Sequence, residues 1–232
     1  MIDIADRLTA TYREVRATTE TSEVAETAET SESSASGGSA ASEPHGDSAA
    51  GCGLVLRRRF PCPPETVWSA VTEADRLGRW LAPVTGELRA GGTFHVADHA
   101  DGTVLECVPP HLFAVTWGGD ALVVTVRLAA DEAGDTVLEL VHTGVPRDGA
   151  VRHGPAWDVA IASLERFLTG DAGEEPAAWR GSTEVQTFAQ HSVSAWVKAT
   201  EVSGVATAED LTDAVRDCLR RLAPDLTRPS TA

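Results

Sequence analysis

The chain has 232 residues, with 35 acidic and 19 basic side chains and a formal net charge of −16. Nucleic-acid phosphates and anionic lipid surfaces are bound by clustered Lys and Arg, which this composition lacks, so the sequence predicts no nucleic-acid partner. No apolar run reaches the roughly 20 residues that span a bilayer. No apolar signal segment is recognisable either, so we expect no membrane insertion and a cytoplasmic location. The four cysteines show no C-x-x-C spacing, which indicates reduced thiols.

The first part of the chain divides into two segments of different composition. Residues 1–16 carry one apolar stripe at helical spacing, formed by Ile4, Leu8, Tyr12 and Val15. The stripe predicts an N-terminal helix. Residues 17–51 hold seven acidic side chains and no Lys or Arg. They predict a disordered acidic linker, because too little apolar surface is present to offset the entropy of ordering; a partner-binding or phosphorylated tail is the alternative.

Residues 52–170 carry strand and helix patterns that predict one folded domain. A strand over 53–61 has an apolar face and a charged face, and Arg58 lies toward the apolar one. Two short helices follow, the first opening at Pro63 and the second ending near Leu81. From 84 to 143, turn signals separate six segments of alternating polarity, which predicts antiparallel strands with one buried face.

The last third of the chain is helical in pattern. The longest apolar helix is predicted over 154–169, and residues 171–232 form an extension with helices over 183–199 and 208–222. The apolar stripes of the terminal helices fit packing on each other, packing on the sheet or a homodimer seam equally well. Consecutive, hairpin-linked strands exclude a doubly wound parallel fold and predict an α+β class.

This order of elements predicts a space inside the domain. A helix of about 15 residues spans roughly 22 Å and is too small to cover such a sheet. Either large side chains fill the gap, or it remains open as a cavity of the kind that binds small molecules. The residues expected to line it are Trp80, Phe94, Leu105, Trp117, Leu140, His142, Trp157 and Ile161. From the sequence, the three tryptophans are equally consistent with lining a pocket and with filling a solid core.

Several sequence strings in order carry a family resemblance, among them Phe-Pro-Cys-Pro-Pro-Glu-Thr-Val-Trp-Ser-Ala-Val-Thr at 60–72, Arg-Trp-Leu-Ala-Pro-Val at 79–84 and Gly-Pro-Ala-Trp-Asp at 154–158. Together they resemble the SRPBCC (START-like) superfamily, in particular bacterial homologues of the activator of heat-shock protein 90 ATPase, over about 53–170. The resemblance implies a helix-grip fold, in which a curved antiparallel sheet wraps around a long C-terminal helix, here with extra terminal helices. The superfamily includes lipid carriers, polyketide cyclases, aromatases and co-chaperone domains.

Catalytic chemistry has three candidate residues in the sequence. His142, Asp158 and Arg58 could serve a cavity enzyme of aromatase, cyclase or hydrolase type, with a His–carboxylate pair moving protons. Nothing in the spacing brings His142 and Asp158 together, so a hydrogen-bonded core His and a solvent-facing Asp are favoured. The chain has no phosphate-binding glycine loop and no G-x-S-x-G elbow, which argues against nucleotide use and serine hydrolase chemistry. No cofactor is expected.

A cluster of possible metal ligands lies around one predicted hairpin turn: His95, Asp98, His99 and Asp101. Polar residues on an exposed turn are favoured over a metal site, because ligands must converge from one side. The function predicted from the sequence is binding of a small hydrophobic molecule, lipid-like or polyketide-like, and binding is favoured over catalysis. A cavity enzyme and a chaperone-ATPase activator are the alternatives.

Overall fold

The computed structural model describes residues 4–18, 51–171 and 175–227. Within them the strands are β1 Tyr12–Ala17, β2 Cys52–Phe60, β3 Val84–Gly86, β4 Thr93–Val96, β5 Ala100–Val108, β6 Leu112–Thr116, β7 Val123–Ala130 and β8 Thr136–Val145. The helices are α1 Ile4–Thr9, α2 Pro64–Thr72, α3 Ala74–Leu77, α4 Gly149–Leu168, α5 Pro176–Gly181, α6 Thr183–Ser203, α7 Thr212–Leu222 and α8 Pro224–Thr227.

The strands form one antiparallel sheet in the order β1-β2-β8-β7-β6-β5-β4-β3. Because each strand alternates its side chains between two faces, one face is continuously apolar and the other is charged. On β2, for example, Leu54 and Leu56 are buried, whereas Arg57 pairs with Glu139 at 2.6 Å on the outer face. The sheet curves around α4, which confirms the predicted α+β helix-grip fold.

Helix α4 is buried on two sides. One face, with Ala160, Ile161 and Leu164, contacts the apolar face of the sheet. The opposite face, with Val159 and Ala162, packs against the C-terminal extension. The helix has 20 residues, about 30 Å in length, and begins earlier than the sequence pattern predicts. The structure therefore has three layers, in which the sheet, α4 and the α6 layer follow one another.

The N-terminal prediction of one helix over residues 1–16 is wrong. Only Ile4–Thr9 is helical, and Tyr12–Ala17 is an edge strand paired with β2. Val15 is buried opposite Leu54, while its neighbours on the strand are more exposed. The apolar positions of this short segment fit either a helix or a strand, and pairing with β2 decides between them because it satisfies the backbone of both strands.

The acidic segment consequently connects two neighbouring strands. Ala17 pairs with Cys52, and the amide of Thr18 donates a hydrogen bond to the carbonyl oxygen of Gly51 at 3.0 Å. Residues 1–3 and 19–50, and with them most of the predicted linker, lie outside the described residues. The sheet of the domain therefore begins at Tyr12, and the acidic insertion falls inside a β-hairpin.

The terminal stripes pack within the chain. The buried side of α7, with Leu211, Ala214 and Cys218, joins the main core, and Ile4 and Leu8 of α1 pack against the cluster between α4 and α6. The stripes of α1 and α7 therefore pack mainly on α4 and α6, an arrangement that is not among the alternatives the sequence leaves open. No helix among the described residues is sufficiently long and apolar to cross a membrane.

Candidate functional site

A cavity of about 80 Å³ lies between the sheet and α4. Its wall is made of aliphatic and aromatic side chains from α2, α3, α4 and the inner face of the sheet. Predicted lining residues that contribute to it are Trp80, Phe94, Trp117, Leu140, Trp157 and Ile161. The interior is therefore largely filled by these side chains, with a small apolar space left over.

Two of the predicted lining residues lie elsewhere. Leu105 is 51% exposed on the outer face of β5, so its predicted inward position is wrong. The pairing of β5 with β6 shifts register between Val104 and Glu106, and such a bulge reverses the alternation beyond it. Val104 is the inward residue at 1% exposure. The other predicted lining residue that lies elsewhere is His142. It is separated from the cavity by Trp157, to which it is hydrogen-bonded.

Trp80 shows how the space is reduced. Its indole N–H donates to the carbonyl oxygen of Ala70 on α2 at 2.9 Å, and its own carbonyl accepts a hydrogen bond from the hydroxyl of Ser163 on α4 at 2.6 Å. These bonds tie α2, the turn after α3 and α4 together over the inner face of the sheet. The inner face of the sheet is thus covered by α2 and the turn after α3 as well as by α4. The space between the sheet and the helices is therefore much smaller than the sequence analysis expects.

His142 holds Trp157 in place. The indole N–H of Trp157 donates to Nδ1 of His142 at 3.2 Å, and the imidazole also lies edge-on to His153, with ring centroids 5.0 Å apart. Burial is the main cause that lowers the pKa of His142, and the charge of His153 adds to it, so that the pKa is about 4. The ring is therefore neutral at pH 7. Because Nδ1 accepts a hydrogen bond, the proton of the neutral ring is on Nε2.

Asp158 belongs to a different network, on the extension side of α4. Its carboxylate accepts hydrogen bonds from the guanidinium of Arg13 at 2.8 and 3.0 Å, from the hydroxyl of Ser192 at 2.5 Å and from the indole of Trp196 at 2.9 Å. Asp158 is 3% exposed, so the expectation of a solvent-facing residue is wrong. Its partners come from β1 and α6, and the sequence around Asp158 contains no pattern that predicts these contacts.

Arg58 makes a third, separate interaction. Its Nη2 lies 3.1 and 3.2 Å from the two carboxylate oxygens of Glu165 on α4. The three catalytic candidates therefore do not converge: His142 supports Trp157, Asp158 joins α4 to the extension, and Arg58 joins β2 to the end of α4. The predicted position of Arg58 on the apolar side of its strand agrees with its 6% exposure.

The turn cluster is on the surface. His95 Nδ1 lies 2.7 Å from a carboxylate oxygen of Asp101, and both side chains are more than half exposed. Among residues 4–18, 51–171 and 175–227, no group of three or more His, Cys, Asp or Glu side chains is arranged to hold a metal ion. His99 contacts the backbone of Ala97, and Asp98 adopts a positive φ of 59° at the turn.

A groove of about 610 Å³ lies outside the cavity, between the helix-grip domain and the C-terminal extension. Four side chains line both spaces and so form the partition between them: Leu81, Trp117, Trp157 and Ala160. The rings of Trp117 and Trp157 contact each other, with centroids 5.2 Å apart. The hydrogen bond that Trp157 donates to His142 therefore orients one of the two rings of this partition.

The groove has polar walls that the sequence analysis did not anticipate. Arg180, Gln186 and Arg221 come from the extension, and His153 comes from α4. Burial is the main cause that lowers the pKa of His153, and the charge of Arg221 lowers it further. His153, Arg221 and the pair Arg180 and Gln186 are separated in sequence by tens of positions, and only the docking of the extension on α4 brings them to one groove.

The curved sheet closed by α4 defines a helix-grip domain of the SRPBCC class. Residues 61–169 match the family described as Activator of Hsp90 ATPase homolog 1-like protein. This segment of the domain therefore matches the family to which the sequence resemblance points. No curated protein matches the chain.

Two solved structures of CalU16 from Micromonospora echinospora are similar to this chain over most of its length. The crystal structure is 25% identical, with a TM-score of 0.61, and the match covers 82% of this chain and 98% of that one. The solution NMR structure is also 25% identical, with a TM-score of 0.63 and coverage of 84% and 97%. EF2215 from Enterococcus faecalis, a conserved protein of unknown function, is 18% identical with a TM-score of 0.51, covers 64% and 86%, and shows the fold alone.

Proposed function

We propose that this protein binds a small hydrophobic molecule between the sheet and α4, in the cavity and the part of the groove next to it. The observation that carries the proposal is an apolar cavity that shares a partition of Leu81, Trp117, Trp157 and Ala160 with a large groove. Ligand sites are commonly apolar clefts of roughly 300–1,000 Å³ with a few polar groups at their edge. The groove, at about 610 Å³, falls in this range.

The partition moves when the ligand binds. A cavity of about 80 Å³ is smaller than the roughly 150 Å³ that holds benzene in an engineered protein core. The apolar end of a ligand therefore displaces Trp117 or Trp157 and occupies the cavity, while the rest of the molecule lies in the groove. Both Trp residues are only partly buried, so a shift of either ring costs less than opening the fully buried core.

Binding is preferred to catalysis because of the groups around His142. Its ring faces Trp157 and His153, and the one predicted carboxylate partner, Asp158, is occupied by Arg13, Ser192 and Trp196. A general base needs its substrate within hydrogen-bond reach and an orienting partner. The contacts of His142 support a role in holding Trp157 instead.

Decanol serves as the test ligand, with binding measured by calorimetry and by NMR of the tryptophan indole N–H groups. Saturable binding should shift the indole signals of Trp117 and Trp157. The indole of Trp196 is the internal control, because it is bonded to Asp158 on the other side of α4. Absence of saturable binding, or shifts that are largest at Trp196, would overturn the proposal.

A cavity-filling variant gives a second test. Ala160→Leu places additional methyl groups at the partition and should weaken decanol binding by about tenfold or more, a loss of about 1.4 kcal/mol. Ala178→Leu, at an exposed position of α5, is the matched control and should bind as the unmodified protein does. If Ala160→Leu does not fold, the indole shifts in the unmodified protein decide the question alone.

A further inference from the structure

Two arginines of the C-terminal extension line the groove beside the aromatic partition. Arg180 lies in the last turn of α5 and Arg221 in the last turn of α7. Both lie beyond the segment 61–169 that matches the family. Their positions make the outer end of the proposed binding site cationic, although the chain as a whole is strongly acidic.

Both guanidiniums retain hydrogen-bonding capacity. Each carries five N–H donors. Nη1 of Arg180 donates to the carbonyl oxygen of Leu81 at 2.6 Å, and Nη2 of Arg221 donates to that of Arg152 at 2.5 Å. Among the described residues, no carboxylate lies within ion-pair distance of either guanidinium. By contrast, Arg13 and Arg152 are each paired with an aspartate.

The charge on Arg180 is only partly solvated. Burial lowers the pKa of Arg180, and the charge of Glu175 offsets this only in part. Among the described residues that line the groove, the one carboxylate side chain is that of Asp98, an exposed residue on the β4–β5 turn. A partly buried cation without a counter-ion favours an anionic ligand, because a charge-assisted hydrogen bond replaces the lost solvation.

We infer that the ligand is a small amphiphilic anion, with its apolar body at the partition of Trp117 and Trp157 and a carboxylate-type head group between Arg180 and Arg221. This inference rests on the proposed function, since it assigns a ligand class to the same site. The C-terminal extension then supplies the selectivity for the head group, and the helix-grip domain supplies the apolar cavity. A neutral ligand with the same body binds more weakly.

Decanoate and decanol test the inference, because they share one alkyl chain and differ in the charge of the head group. Decanoate should bind about tenfold more tightly than decanol. Added salt should weaken decanoate binding and leave decanol binding nearly unchanged, because salt screens the head-group interaction. Arg180→Gln and Arg221→Gln should each remove most of the advantage of decanoate, and Arg180→Lys should restore part of it.

Arg216→Gln is the matched control, because Arg216 is an exposed residue of α7 paired with Asp213 at 2.6 Å. It should leave the affinity for both ligands unchanged. The inference is overturned if decanoate binds no more tightly than decanol, or if Arg180→Gln and Arg221→Gln weaken both ligands equally. If neither ligand binds, the proposed function itself is wrong. If decanol binds and decanoate binds no more tightly, the proposed function stands and only the inference about the head group is wrong.

Discussion

Arg13 and Asp158 form a buried ion pair, with Arg13 Nε 2.8 Å from Asp158 Oδ2 and Nη2 3.0 Å from Oδ1. Their side chains are 7% and 2% exposed. The pair ties the edge strand β1 to the middle of α4, and Ser192 and Trp196 of α6 bind the same carboxylate. Asp158 is therefore the point at which the N-terminal strand, the central helix and the extension meet.

Asp158→Asn should destabilise the fold by about 3–5 kcal/mol, because Arg13 then remains buried without its counter-ion. The free energy of unfolding is measured by urea denaturation. Asp171→Asn, at an exposed site just after α4, should change it by less than about 0.5 kcal/mol. Decanol affinity should be retained under conditions in which Asp158→Asn is folded. Lost affinity with unchanged stability would instead place Asp158 in the binding site.

Gly154→Ala should also destabilise the protein. A Cβ atom at Gly154 would overlap the indole of Trp196, which packs directly across α4, and overpacking of this kind costs about 1–3 kcal/mol. Gly181→Ala is the control, because no atom lies within 4 Å of a Cβ built at that position. Thermal unfolding of the two variants should therefore differ clearly, and equal melting temperatures would argue against the close contact of α4 with α6.

His142 makes stability depend on pH below neutrality. Its pKa is 6.5 in an unperturbed chain and about 4 in the fold, so between these values the unfolded chain binds a proton that the folded chain does not. Stability is therefore retained above pH 6.5 and lost as the pH falls toward 4, by up to about 3 kcal/mol. In His142→Gln this loss should be absent.

The measurement is the difference in unfolding free energy between the unmodified protein and His142→Gln across this pH range, since carboxylates titrate in both. His191→Gln, an exposed position on α6, should keep the pH dependence of the unmodified protein. The same pH slope in all three proteins would mean that His142 is not held neutral by burial.

Replacement of residues 19–50 by a four-residue turn should preserve the fold. The segment's two ends are adjacent, because Ala17 pairs with Cys52 and Thr18 bonds to Gly51, so a short hairpin turn spans the gap. The melting temperature should be unchanged or higher, since a shorter connection does not increase the entropy cost of pairing the strands. A marked fall in melting temperature would show that the acidic residues contribute to the stability of the domain.

The fold was predictable from the sequence because its signals are local. Alternating polarity on β2 and β4 to β8, and helical spacing on α4, α6 and α7, depend only on neighbours along the chain. The face of the sheet on which a given side chain lies was less predictable. One bulge after Val104 moved Leu105 to the outer face, because a single extra residue reverses a period of two.

The sequence patterns determined an antiparallel sheet and a long apolar helix, and six of the side chains that line the cavity between them. The family resemblance implied that the sheet grips the helix. Tertiary structure decided the rest. It turned Tyr12–Ala17 into a strand, buried Asp158 among partners from β1 and α6, and brought Arg180 and Arg221 to the groove beside the cavity. The physical reason is distance along the chain: periodicity records which face of an element is apolar, but a polar side chain acquires its role from whichever remote element docks against it.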